Sequence, residues 1–143
     1  MAKAFEEADA AAARQEVPVG ACLVSPDNTI IASGGNRTRE LNDPTAHAEV
    51  LVIREAARLL GSERLSGCDL HVTLEPCAMC AGAISFARIE RLYFGADDVK
   101  MGAVENGPRF FNQPTCHHVP QVFAGLGEAR ARQLLTQFFR NRR

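Results

Sequence analysis

Apolar positions recur with a helical period over residues 2 to 15, where Phe5, Ala8 and Ala12 share one face, and "VPVG" closes this first predicted helix. "GACLVS" and "TIIASG" then read as two strands joined by the turn "PDN", a hairpin. Asp43 before Pro44 predicts a helix start, because the carboxylate can cap free amides while proline tolerates the first helical position. That helix runs to about Leu60 and stops at Gly61. "CDLHVTL" is a strand, and "EPCAMCAGAISFAR" opens a second proline-led helix that is apolar on nearly every side. Such a helix is buried in the core, at a subunit interface, or both. "RLYFGA" is a strand, "GPRFFNQPTCHH" mostly loop, and "VPQVFAG" holds a short strand. "EARARQLLTQFFR" closes the chain as a helix with Leu134/Phe138 and Leu135/Phe139 pairs. Alternating strands and helices after an opening hairpin predict an α/β fold, a mixed sheet with helices on both faces. With no repeat, low-complexity tract or long linker, residues 1–143 are expected to form one domain.

Composition narrows the setting. At 46% hydrophobic and 23% charged residues, the chain carries enough apolar surface for a folded core. Its apolar runs stop well short of the roughly 18 residues of a membrane helix. The opening "MAKAFEEADA" is acidic and alanine-rich, unlike a secretory signal, so a cytoplasmic protein without membrane contact is expected. The five cysteines are odd in number and only Cys77 and Cys80 have a spacing that suggests joint use, which argues for reduced thiols and against a disulfide framework. The net charge of −1 hides an uneven distribution: residues 126 to 143 hold five arginines against one glutamate. That positive tail suits phosphate, and it equally suits the C-terminal dipole of a solvated helix.

The chemistry lies at the starts of two predicted helices. Cys77 and Cys80, three apart, can point to one side of a first helical turn, where the helix N-terminus favours thiolates. A C-x-x-C pair alone fits redox use or chance as well as metal binding. Two thiolates need at least one further ligand to hold zinc, most commonly a neutral imidazole. Of His47, His71, His117 and His118, only His47 also follows a proline-led helix start; His71 lies in a strand and the other two in a loop. Three protein ligands leave a fourth tetrahedral position for water, the mark of a catalytic zinc site.

"TAHAEV" adds Glu49 two residues after His47. At about 100° per residue, helical positions two apart diverge by roughly 200°, so the pair is suited to separate jobs and not to gripping one ion from one helix face. Zinc lowers the pKa of a bound water from about 15.7 to about 7, roughly 12 kcal/mol at about 1.36 kcal/mol per unit. Two thiolates cancel the formal charge of the ion and weaken that effect. A carboxylate such as Glu49 is then needed to take the proton and later return it. His-Ala-Glu followed by Pro-Cys-x-x-Cys matches the known signature of zinc deaminases, a pattern recognised and not deduced from physics.

From "EVPVGACLV" through "GGNR", "NDPTAHAE" and "VTLEPCAMCAGAISFARIERLYFGADDVKMGA" to "FFRNRR", the chain resembles the bacterial tRNA adenosine deaminases over nearly its whole length. The resemblance implies a cytidine-deaminase-like three-layer α/β/α sandwich with a mixed five-stranded sheet. It also implies a homodimer, one zinc ion per subunit and no nucleotide cofactor. The implied reaction converts the wobble adenosine of a tRNA anticodon stem-loop to inosine. On this resemblance His47, Cys77 and Cys80 are the zinc ligands, Glu49 is the proton shuttle, and the Ala48 amide donates to the purine edge. Asn36 would contact the flipped nucleotide, although a loop asparagine also serves in Asx turns. Asp98 and Lys100 would lie along the RNA channel. Arg109, His117 and His118 would add charge and flat rings, beside Phe110 and Phe111, which fit core or interface packing better than base stacking.

Two positions depart from the family: Cys116, where asparagine is frequent, and Asp97, where arginine can occur. Two other functions use the same residues. A deaminase of a free base or nucleotide, of the guanine, cytosine or dCMP type, shares the zinc chemistry. A non-catalytic zinc-stabilised RNA-binding module would leave Glu49 without a role, and its acidic body suits RNA poorly.

Overall fold

The computed structural model of the chain describes residues 1–142; Arg143, the last of the tail arginines, lies outside the described residues. Helix α1 (Ala2–Ala13) leads into the hairpin β1 (Gly20–Val24) and β2 (Ile30–Gly35). Then follow α2 (Ala48–Leu60), β3 (Asp69–Leu74), α3 (Ala78–Phe86), β4 (Arg91–Ala96), a 3-10 turn at Phe110–Asn112, β5 (Gln121–Ala124) and α4 (Glu128–Arg140). The strands form one mixed sheet in the order β2-β1-β3-β4-β5. β1 is antiparallel to both neighbours, whereas β3, β4 and β5 run parallel. Parallel neighbours need a crossover, which α3 supplies between β3 and β4.

Helices cover both faces. α1 and α4 contact each other and one side of the sheet; α2 and α3 pack together on the other, completing the α/β/α sandwich. The larger core lies on the second side, where Leu23, Val72 and Phe94 of the sheet meet Val52 of α2 and Ile84 of α3. On the first side the α1 backbone rests directly on the sheet at the paired glycines Gly20 and Gly35. A Cβ at Gly20 would lie 2.0 Å from the Ala4 carbonyl oxygen and 2.4 Å from the Ala8 nitrogen. The buried face of α1 is Ala4, Phe5, Ala8 and Ala11, so Ala11 takes the place expected for Ala12. His71 is a packing residue, stacked on Tyr93 at 4.6 Å, which stacks on Phe123 at 4.9 Å.

The proline-led helix starts are shifted. α2 begins at Ala48, not near Pro44. Asp43 instead closes a turn, its Oδ1 accepting from the Thr45 amide at 2.9 Å and the Thr45 hydroxyl at 2.7 Å. The segment is held away from helical geometry by bonds from the Arg37 amide to the Ala46 carbonyl and from the Asp43 amide to the Thr38 carbonyl. α3 likewise starts after Cys77. Its all-round apolar surface divides in two: Cys80, Ala81 and Ile84 enter the core, whereas Ala78, Met79 and Phe86 face outward. Among the described residues no helix is long and apolar enough to cross a membrane.

Candidate active site

His47 and Cys77 occupy equivalent positions, each the N-cap of its helix with extended backbone, φ −74° and −75° respectively. Their carbonyls accept the first helical bonds, from Leu51 and Ala81. α2 and α3 pack together, so their N-terminal ends meet near the carboxyl end of β3, the usual place for a site in a sheet of parallel strands. The His47 Nδ1 lies 3.6 Å from the Cys77 Sγ and 3.6 Å from the Cys80 Sγ. Tetrahedral zinc, with Zn–S about 2.3 Å and Zn–N about 2.0–2.1 Å, separates sulfur from nitrogen by roughly 3.6 Å. The donor set and its spacing therefore fit zinc, and all three ligand atoms lie within 4.8 Å of one another.

The two thiols are shifted in opposite directions. A hydrogen bond from Cys80 holds the Cys77 thiol down to about 4, against the opposing effect of burial and with help from His47. The same bond, together with burial, pushes the Cys80 thiol up. Bonding to Cys77 raises His47, though burial opposes it.

Glu49 falls on the first turn of α2, only 4% exposed. Burial pushes its carboxyl up to about 7, with the Cys77 charge acting in the same direction. A carboxyl poised near neutrality can both accept and donate a proton. His47, Glu49, Cys77 and Asn36 line one cavity of about 210 Å³, walled by Val17, Val19 and Leu74. Asn36 and Ala48, expected as two separate substrate contacts, bond to each other: the Ala48 amide donates to Asn36 Oδ1 at 2.7 Å.

Asp98 and Met101 belong both to this cavity and to an adjoining groove of about 830 Å³. The groove runs between Lys100 on the loop after β4 and Arg132, Leu135, Phe139 and Arg142 at α4 and its end. Asp98 Oδ1 caps its own loop, accepting from the Lys100 amide at 3.1 Å and the Met101 amide at 3.0 Å. Asp97 pairs with Arg132, which also holds Glu128 at 2.9 Å, so this acidic residue ties the loop to α4.

Arg109, His117 and His118 do not line the cavity or the groove of their own chain. Arg109 is exposed and donates to the Glu105 carbonyl at 3.1 Å. His118 lies beside the far end of α3, its Nε2 bonded to the Ile89 carbonyl at 2.6 Å and its own carbonyl accepting from Ser85 at 2.8 Å. Cys116 approaches Ser85 there at 3.4 Å. Phe111 is buried in the main core and Phe110 packs against it.

Two carboxylates were not singled out by the sequence. Glu16, 2% exposed, accepts the Arg39 amide at 3.2 Å and the Glu40 amide at 2.8 Å, holding the loop that follows Asn36. Glu75, also 2% exposed, does the same for the loop that carries Asp98. No short motif marks such residues, because their partners lie more than twenty positions away; their place before "VP" and "PC" is the sole local signal.

Comparison with known proteins agrees with this geometry. The family model for the cytidine and deoxycytidylate deaminase zinc-binding region matches residues 1–96. The tRNA-specific adenosine deaminase of Agrobacterium fabrum is 63% identical over 143 residues, covering 100% of the chain and 93% of its relative. A solved structure from studies of A-to-I editing by tRNA:A34 deaminases at the wobble position superposes with a TM-score of 0.92 at 63% identity, covering 94% of this chain and 97% of that one. A guanine deaminase from Bacillus subtilis superposes with a TM-score of 0.65 at 32% identity, covering 98% and 90%.

Proposed function

The chain belongs to the cytidine and deoxycytidylate deaminase zinc-binding family, and within it we propose that it works as a tRNA adenosine deaminase, converting the wobble adenosine of an anticodon to inosine. The observation that carries this reading is the continuity of the inner cavity with the wider groove. About 210 Å³ is below the roughly 300–1,000 Å³ of a whole small-molecule site. It suits a single base turned out of its strand, with neighbouring nucleotides left in the groove beside Lys100, Arg132 and Arg142. Anticodon-loop bases are already unpaired, so turning one out costs little.

The reaction replaces the C6 amino group with the oxygen of water and releases ammonia. His47, Cys77 and Cys80 would hold the zinc ion, which when bound would supply the Lewis acidity that makes the attacking water easier to deprotonate. Glu49 accepts one proton of the attacking water and delivers it to the ring nitrogen, then takes the proton of the hydroxyl now on C6 and carries it to the leaving amine as the C6–N bond breaks and the carbonyl forms. A base seated between the apolar walls Val17, Val19 and Leu74 would displace water from that exchange. With its Oδ1 held by the Ala48 amide, Asn36 has a defined orientation and offers its NH₂ to the nucleotide. Asp98 shapes the mouth and Lys100 meets phosphate.

The protein acts as one deaminase domain, in the cytoplasm, and as a homodimer. The dimer is supported by the outward face of α3, where Ala78, Met79 and Phe86 are exposed beside the half-buried Gly82 and Ala83. The 3-10 turn after Arg109 and the segment of His117 and His118 flank α3. A second copy packed on that face would turn these three residues from an isolated surface into part of a shared RNA-binding rim.

Inosine formation tests the proposal. Zinc-loaded protein is given an anticodon stem-loop with adenosine at the wobble position, and, in parallel, free guanine, adenine, cytosine and dCMP. Inosine in the stem-loop is the expected product; turnover of a free base with the stem-loop untouched would move the assignment to the small-molecule deaminases.

A further inference from the structure

The reaction makes no use of Glu75, although it is the most heavily bonded carboxylate near the site. It follows β3, two residues before the ligand Cys77. Its Oε2 accepts the amides of Val104 at 3.0 Å, Glu105 at 2.9 Å and Asn106 at 3.0 Å. Its Oε1 accepts the Asp98 amide at 2.9 Å and the Asn106 side-chain NH₂ at 2.7 Å. All five donors come from one loop, residues 98–106, and bonds to an ionised acceptor are stronger than neutral ones.

The loop is wrapped tightly around this carboxylate. A Cβ on Gly102 would lie 2.5 Å from Glu75 Cδ and 2.4 Å from the Asp98 carbonyl oxygen. The Ala103 amide donates to the Pro76 carbonyl at 2.9 Å. At its near end the same loop supplies Asp98 and Met101, which with Val17 and Leu74 line both the inner cavity and the groove. Glu75 itself lines the inner cavity, and its oxygens are turned to the loop, so this side chain sets the shape of the threshold between cavity and groove.

We infer that Glu75 is a positioning residue for substrate capture: its carboxylate fixes the 98–106 loop, and through it the mouth across which the nucleotides flanking the target base are laid. This rests on the reading of the protein as a tRNA deaminase. The chemical step depends on His47, Cys77, Cys80 and Glu49, which are set by the starts of α2 and α3; the loop meets them at one point, where Gly102 pairs with the Cys77 backbone. Loss of the carboxylate should thus weaken capture before it slows chemistry. Glutamine has nearly the same shape but cannot serve: one of its two termini becomes an NH₂ facing further N–H donors.

Glu75→Gln and Asn106→Ala are compared with the parent chain, all zinc-loaded, on an anticodon stem-loop. Zinc content, KM and the single-turnover rate at saturating enzyme are measured well below each melting temperature. Glu75→Gln should keep one zinc per chain, raise KM by about tenfold and hold the single-turnover rate within about threefold of the parent. Asn106→Ala, which removes one of the five bonds, should raise KM by about threefold, and it decides alone if Glu75→Gln does not fold. Lower melting temperatures with unchanged KM would reduce Glu75 to a purely structural role and overturn the inference. Zinc loss, or a single-turnover rate that falls as much as KM rises, would also overturn it by placing Glu75 in the metal site or the chemistry. An active parent with kinetically unchanged variants defeats this inference alone, whereas a parent that leaves the stem-loop untouched defeats the functional reading and this inference with it.

Discussion

Glu49 and His47 are two residues apart, a spacing that puts side chains on opposite sides of a helix interior. They escape that constraint because His47 is the N-cap and Glu49 lies on the first turn, so one side chain leaves from extended backbone and the other from the helix. The imidazole can then join the two thiols at a metal, and the carboxyl stays free to handle a proton. Glu49→Ala is expected to keep one zinc per chain while kcat for inosine formation falls by roughly 10²–10⁴; metal analysis and product chromatography check the two halves separately. Zinc loss would make Glu49 a ligand, and unchanged turnover would remove it from the reaction. The pairing of a candidate ligand with a candidate acid/base residue was legible in the sequence because both residues sit in one short motif. Glu16 and Glu75 were not, since each acts on a backbone segment more than twenty residues away, and a lone glutamate beside a proline carries no information about such a partner.

At the scale of elements, α1 owes its position to missing side chains. Gly20 and Gly35 face each other across the hairpin, and the helix backbone fills the space their Cβ atoms would take. Because the Gly20 clash is with backbone at 2.0 Å and 2.4 Å, no side-chain rotation relieves it. Gly20→Ala should therefore cost at least about 3 kcal/mol by denaturant unfolding, at the upper end of overpacking effects; a loss below about 1 kcal/mol would mean that α1 shifts freely. The limits of β4 and α4 coincide with the predicted "RLYFGA" and "EARARQLLTQFFR". The start of α2 was misread by about four residues, because Asp-Pro-Thr can open a helix or close an Asx-type turn, and contacts to Arg37 and Thr38 select the turn. That delay matters: it makes His47 an N-cap and not a residue of the helix's second turn.

For the whole molecule, the division of α3 into a buried and an outward side suggests how the chain associates. Phe86 is 83% exposed, in line with Met79 and with the small residues Gly82 and Ala83 that allow close approach. An exposed apolar stripe of this kind marks an interface. The protein is expected to sediment at low micromolar concentration as twice its 15.5 kDa mass. Phe86→Asp should shift it to the monomer without loss of zinc; a parent chain that is monomeric at those concentrations would exclude the dimer.

The sequence by itself determined the alternation of strands and helices and singled out the three side chains that could hold a metal, with a glutamate beside them, because periodicity and short motifs record interactions between near neighbours. Only the tertiary structure decided that two helix starts converge on one point, that the Ala48 amide is held by Asn36, that His118 serves the far end of α3, and that buried carboxylates shape the loops around the cavity. Each of these joins segments distant in the chain, and their contacts depend on how the helices and strands pack in space, which no local spacing encodes.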